Sequence, residues 1–252
     1  MQSHSVSLGF FDSDSPTFQR EKPYVCIVPL THAPKSVKQT NIEYVDKAVD
    51  VQDIRDSEHL FNLDVHGFQL VKHDTTFGDW HDGKRVVKEY YPHIAKLLKD
   101  TTGSLSVYIF DHSVRLGDHV PTPQRTRQVQ GLPSMVAHVD YSKDAVIRQI
   151  QEDFPEQSED LLAGRFEVIN IWHPIVEPVE QQPLTLCDYR TAKTDAFPAD
   201  LVYPHMVSEN MMVRHSQPQK WYFIDRQQIG EAWVFKMSDS RAESDPEVSK
   251  CQ

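Results

Sequence analysis

The sequence predicts a mostly β chain with helices packed on its outside, built as a distorted barrel or sandwich. Three observations predict it. Short runs of β-branched and aromatic residues fill the second half, with turn residues recurring between them at barrel-like spacing. Helical signals are few, at Lys84–Lys99, at Lys143–Asp153 and at Leu161–Leu162 before Gly164. Glycine is scarce, 9 of 252 residues against a usual share of roughly 7%, and no two glycines form a G-x-G, which excludes a dinucleotide-binding turn.

The elements follow in order. Residues 1–20 are Ser-rich and weakly patterned, and are expected to be a flexible N-terminal segment. Tyr24–Pro29 reads as a short strand ended by proline, and residues 31–47 as loop. Val49–Ile54 is a strand before a turn at Asp56–Ser57, and Leu63–Val71 alternates as a strand or hairpin. Lys84–Lys99 is helical in two pieces, because Pro92 lacks an N–H and disfavours helix before it. Ser104–Asp111 (SLSVYIFD) is the first strong strand, followed by a polar loop over 116–134. Met135–Asp140 is a short apolar strand, and Ser142 caps a helix over Lys143–Asp153. Leu161–Leu162 before Gly164 reads as a second helix and its stop. Arg165–Trp172 alternates cleanly. Pro183–Asp188, Met211–His215, Lys220–Ile224 and Ala232–Met237 are further short strands. No linker divides the chain, so residues 21–240 form one domain and 241–252 a polar tail.

With 26 Lys and Arg against 37 Asp and Glu, the net charge is −11, which gives no electrostatic pull toward nucleic acid or an anionic membrane. Cys26, Cys187 and Cys251 are far apart, with no C-x-x-C, so neither a zinc ribbon nor a redox pair is expected. No basic, apolar leader opens the sequence and no run approaches a membrane span, so a cytoplasmic protein is expected.

The sharpest chemical signal is His138-x-Asp140. On a strand, residues i and i+2 share a face, so imidazole and carboxylate converge. They supply two corners of a facial triad for Fe(II). Alone, H-x-D is more often a surface or core polar pair. His215 is a candidate third ligand with Arg226 downstream, although a loop histidine is the commoner reading there. Gly78-x4-Gly83-Lys84 fails as a phosphate loop, because Arg85 replaces Ser or Thr and Asp79 and Asp82 repel phosphate. Arg165 heads an alternating strand as a carboxylate anchor or, equally, a snorkelling edge residue.

Six segments taken in order resemble a known family. They are LLKDTTGSLSVYIFDHSVR (97–115), MVAHVDYSKDAV (135–146), LLAGRFEVINIWHPIVEPVEQQPLTLCDYR (161–190), DLVYP (200–204), KWYF (220–223) and EAWVFKMSDS (231–240). The chain resembles the asaB-like hydroxylase/desaturase family of fungal secondary metabolism, which is similar to the small chain of the bacterial cephalosporin 7α-methoxylase. The likeness runs from about residue 20 to residue 240, and its long GRFEVINIWHPI…PLTLCD block is far more specific than H-x-D. The resemblance implies a jelly-roll (double-stranded β-helix) oxygenase-like barrel with non-haem Fe(II) and 2-oxoglutarate as cosubstrate. It implies that His138 and Asp140 bind the metal and that Arg165, Asn170 and Trp172 line the pocket for substrate or cosubstrate. The family continues past the EAWVFKMSDS strand into a Pro-His element with the third ligand and a strand with the cosubstrate arginine. The sequence stops at Gln252, so a barrel lacking its last strands is expected. His173 and Lys220 stand where the family commonly has arginine, and Gln219 where it has histidine.

The implied function is oxidation of a small secondary metabolite, by hydroxylation or desaturation, in a biosynthetic pathway. The alternatives are a truncated or repurposed relative that binds a metabolite or partner enzyme, and a non-oxidative lyase or isomerase. The expected partner is a small-molecule metabolite, with no nucleic acid and no membrane. A homo-oligomer could cover an open barrel edge.

Overall fold

The computed structural model describes residues 1–28, 30, 34, 36–115, 129–130 and 134–243. In chain order the elements are β1 (Ser3–Phe11), β2 (Tyr24–Cys26), β3 (Tyr44–Asp53), α1 (Leu63–His66), β4 (Phe68–Lys72), α2 (Gly83–Arg85), α3 (Tyr91–Thr102), β5 (Val114–Arg115), β6 (Val129–Gln130), β7 (His138–Val139), α4 (Lys143–Asp153), α5 (Ser158–Ala163), β8 (Glu167–Trp172), β9 (Leu186–Cys187), β10 (Ala196–Val202), β11 (Val207–Val213), β12 (Trp221–Phe223) and β13 (Glu231–Asp239). The strands form sheets of order β1-β3-β12-β9, β2-β10-β11-β7 and β4-β13-β8, with a small β5-β6 pair. The mostly β class with flanking helices is therefore observed, and among the described residues the sheets do not close into a barrel. No described helix is long and apolar enough to cross a membrane.

The core lies between these sheets. Phe10, Val49, Val51, Trp221 and Phe223 of the first sheet pack on Val213 of the second. Ile54, Phe61, Phe68, Tyr222 and Trp233 fill the space between the first and third sheets. On its other face the third sheet buries Val234, with Ile169 and Ile171, against Val86, Ile94 and Leu98 of the helical layer.

Several elements differ from expectation. Residues 3–11 form a nine-residue strand paired along its length with β3. Its serines at 3, 5 and 7 alternate with His4, Val6 and Leu8, and this period of two underlies the Ser-rich composition. Leu63–His66 is a helical turn capped by Asn62 and closed by Gly67 at φ 87°, with the strand starting only at Phe68. Ser104–Asp111 makes no ladder despite its β-rich composition. It is extended, with Val107 and Ile109 packed on the helical cluster. β10 escaped notice because it contains Pro198, which sits where β10 has no partner on the β2 side.

Other expectations match the structure. α4 spans Lys143–Asp153, with the Ser142 hydroxyl accepting from the Ala145 N–H. The Lys84–Lys99 stretch divides next to Pro92. One π-helical turn, Val86–Tyr90, joins α2 to α3, and Pro92 sits in the first turn of α3, where its missing N–H costs nothing. Asp82 caps α2 by accepting from the Lys84 and Arg85 N–H groups, so a carboxylate occupies the place a phosphate would need.

Candidate active site

Two neighbouring strands position the segment that carries His138 and Asp140. β11 pairs with β7, placing Met212 opposite His138. On the other side Gly9 donates to the Met135 carbonyl at 3.1 Å and accepts from Ala137 N–H at 2.9 Å. A side chain at position 9 would put its Cβ 2.9 Å from the Met135 carbonyl oxygen, so this approach requires glycine.

The i, i+2 spacing brings His138 Nε2 to 3.2 Å from Asp140 Oδ1. His138 Nδ1 lies 2.7 Å from the Val136 carbonyl oxygen, which can only accept. Nδ1 is therefore protonated, and the second nitrogen faces Asp140. The other carboxylate oxygen, Oδ2, accepts from Asn170 Nδ2 at 2.7 Å. Burial pulls the His138 pKa down, but hydrogen bonding and charge from Asp140 outweigh it and raise the value above that of a free histidine. Burial pushes Asp140 up, and His138 and then Asn170 bring it below the ordinary carboxylate value. The positive field of Arg115 acts on both groups. The couple thus presents one nitrogen and one oxygen to a point that favours positive charge.

Asn170 and Trp172 share one face of β8, while residues 167, 169 and 171 point to the helical layer. Trp172 packs with the cluster around Trp233. Arg165 is not brought to the His–Asp pair. Its guanidinium donates to Asp239 Oδ2 at 2.8 Å and Glu167 Oε1 at 3.1 Å, and lies 3.5 Å from Asp64 Oδ1. His215 packs edge-on against Phe10 with ring centres 5.1 Å apart. Among the described residues it does not close a three-ligand group with His138 and Asp140. Arg226 forms a turn at φ 46° whose carbonyl accepts from Arg55.

Asp64, Glu167 and Asp239 are the three acidic groups that converge among the described residues. Their centre is already taken by Lys236, fully buried, whose Nζ lies 2.7 Å from Asp64, 2.8 Å from Glu167 and 2.8 Å from Asp239. With Arg165 beside it, this is an ion-pair network and not a vacant cation site. Sequence reasoning missed it, although a lysine inside the apolar run Ala232–Met237 was the available signal. Asn170 was expected at the pocket wall, and its hold on Asp140 could not be read from spacing.

The sequence and fold are similar to known oxygenases. Hydroxylase/desaturase CTB9 of Cercospora beticola is 29% identical over 222 residues, covering 79% of this chain and 67% of that protein. The Fe(II)/2-oxoglutarate-dependent dioxygenase nvfI of Aspergillus novofumigatus is 29% identical over 223 residues, covering 84% and 77% respectively. A solved structure of the iron and alpha-ketoglutarate-dependent endoperoxidase NvfI superposes with a TM-score of 0.83 at 26% identity, over 95% of this chain and 85% of that one. The relatives are thus fungal hydroxylase/desaturases and Fe(II)/2-oxoglutarate-dependent dioxygenases, as the resemblance implied, and the structural match is to the same group. The family model described as "Oxidoreductase/YMDC permease-like domain" matches residues 9–250, and the chain belongs to that family.

Proposed function

We propose that the chain is an oxidoreductase that hydroxylates or desaturates a small secondary metabolite, using Fe(II) and 2-oxoglutarate. The observation that carries the reading is the convergence of His138 Nε2 and Asp140 Oδ1 at 3.2 Å, each held by a partner on its far side. The donor set fits the metal: one imidazole nitrogen and one carboxylate oxygen are two members of the facial set that non-haem Fe(II) takes. Once bound, Fe(II) with 2-oxoglutarate and dioxygen supplies a two-electron oxidation, giving succinate, carbon dioxide and the oxidised metabolite.

The rest is done by this chain's residues. His138 and Asp140 would hold the ion. The Val136 carbonyl fixes the His138 ring, and Asn170 fixes the carboxylate so that Oδ1 points inward. Arg115 adds the positive field that an anionic cosubstrate beside the pair requires. Trp172 walls the same face of β8 and excludes water. We assign Arg165 to holding β8 against β13, since its guanidinium is committed to Asp239 and Glu167. A reducing, cytoplasmic setting is part of the proposal, supported by the free thiols of Cys26 and Cys187.

Succinate release from 2-oxoglutarate, measured with Fe(II) in air, tests the reading. Turnover that depends on Fe(II) and disappears in His138→Ala is expected. No succinate above a protein-free control would hand the chain to the metabolite-binding or non-oxidative reading.

A further inference from the structure

Asp140 follows β7 of the second sheet, yet its carboxylate is held by Asn170 of β8, in the third. The ladder between β7 and β11 shows how it gets there. Val213 N–H donates to the Ala137 carbonyl at 3.1 Å, and Met212 and Met211 stand opposite His138 and Val139. Hydrogen-bonded pairs of an antiparallel ladder recur at every second residue. Ala137 with Val213 is thus followed by Val139 with Met211, and the next pair due is Tyr141 with Glu209. The structure departs at that pair. The Glu209 carbonyl accepts from Ser142 N–H at 3.0 Å, one residue later than the register requires. Two residues, Asp140 and Tyr141, therefore stand against one, Asn210, and this makes a β-bulge. A bulge bends its strand and re-aims a side chain. On a regular strand, residues i and i+2 point the same way with Cβ atoms about 6.7 Å apart. The period of two puts His138 and Asp140 on one face, and the bulge adds the tilt that carries the carboxylate across to Asn170.

The bulge is locked through Glu209. Its main-chain carbonyl takes the Ser142 N–H, and its carboxylate accepts from Lys22 and from the Ser142 hydroxyl. Burial pushes the Glu209 carboxyl up, and these two partners then bring it below its ordinary value. The Ser142 hydroxyl in turn accepts from the Ala145 N–H at 3.1 Å, so the residue that ends the bulge also starts α4. On the far side of β11, Asp200 of β10 stands directly opposite Glu209, where like charges repel. Lys22 lies between the two carboxylates, 2.5 Å from Asp200 Oδ1 and bonded to Glu209 Oε2, and cancels that repulsion.

We propose that Glu209 is a positioning residue for the candidate active site: through Ser142 it fixes the Asp140–Tyr141 bulge, and the bulge aims the Asp140 carboxylate at Asn170 and at the ion. The effect on the ion rests on the reading of His138 and Asp140 as its ligands, whereas the aim toward Asn170 does not. Glu209 acts indirectly, through the backbone that carries Asp140. Groups that orient a ligating carboxylate contribute to metal affinity nearly as the ligands do, and their loss costs about 10–100-fold.

The test compares Glu209→Ala with Glu209→Gln, which keeps an acceptor for the Ser142 hydroxyl, by NMR of the isotope-labelled full chain. In the metal-free protein the Asn170 side-chain amide resonances report the contact with Asp140, and Asp140→Ala marks their position when that contact is lost. Glu209→Ala should move them toward that position, and Glu209→Gln should leave them in place. Anaerobic titration with FeSO4 should then give an affinity about ten-fold weaker in Glu209→Ala and unchanged in Glu209→Gln. A merely structural role would lower the melting temperature of Glu209→Ala without moving the Asn170 resonances. That result, or an Fe(II) affinity that Glu209→Ala leaves unchanged, would overturn the proposal. Asn170 resonances that respond as expected in a chain that takes up no Fe(II) would uphold Glu209 as the residue that aims Asp140, and would sink the iron reading instead.

Discussion

Replacing Lys236 by methionine keeps the aliphatic stem and deletes the charge at the centre of the ion-pair network. Lys236 is fully buried, with Asp64, Glu167 and Asp239 within 2.8 Å of its ammonium group. Removing one member of a buried pair costs about 3–5 kcal/mol, because the partner charge stays desolvated. Arg165 still reaches Asp239 and Glu167, which places the expected loss near the lower end, about 3 kcal/mol. In a chain of 252 residues this lowers Tm by roughly 6–12 °C. The assay is urea unfolding followed by tryptophan fluorescence, with Lys96→Met as control. The Lys96–Asp100 pair is exposed, so the control should change stability by under about 0.5 kcal/mol. The network has a positional role too. Lys236 stands beside the β-bulge of β13, opposite Ile169, one residue from the Asn170 that holds Asp140. Lys236→Met should therefore loosen the Asn170–Asp140 contact. A loss below about 1 kcal/mol would refute the reasoning.

The same network sets an acid limit. Burial pushes Asp239 up, but Arg165 and Lys236 outweigh it and hold the carboxyl near 2, below its ordinary 3.8. The unfolded chain binds more protons between these values, so about 2 kcal/mol of stability present above pH 4 should disappear as pH falls to 2, as a pH series of urea midpoints would report. Asn170→Ala frees Asp140 Oδ2 and should weaken Fe(II) binding by about 10–100-fold; an unchanged dissociation constant would remove Asn170 from the site. Gly9→Ala must displace the Met135 carbonyl, so it should cost about 1–3 kcal/mol and weaken Fe(II) binding as well, whereas a stability change within 0.5 kcal/mol would contradict the close approach. Ser142→Ala should cost about 1 kcal/mol in urea unfolding through loss of the α4 cap.

Much of the fold was legible where local chemistry and tertiary context agree. The α4 cap at Ser142 and the divided helix at Pro92 are settled within a few residues, and the alternation of β8 survives because its two faces meet different layers. The failures share one cause, which is that a ladder needs a partner. SLSVYIFD has strong β composition but packs as an unpaired extended segment. β1 has weak composition but pairs fully with β3. In the candidate site, the convergence of His138 and Asp140 follows from a period of two and was readable. The close approach at Gly9 and the hold of Asn170 on Asp140 depend on contacts across 126 or more and 30 residues of sequence, which no local pattern encodes. The commitment of Arg165 to Asp239 is equally non-local, spanning 74 residues.

The central claim is that His138 and Asp140 hold Fe(II) in a site that takes 2-oxoglutarate. Anaerobic addition of Fe(II) and 2-oxoglutarate to the chain should produce a weak visible charge-transfer band, saturable in both, that is absent in His138→Ala. A wild-type chain without the band, or a band that persists in His138→Ala, would contradict the account.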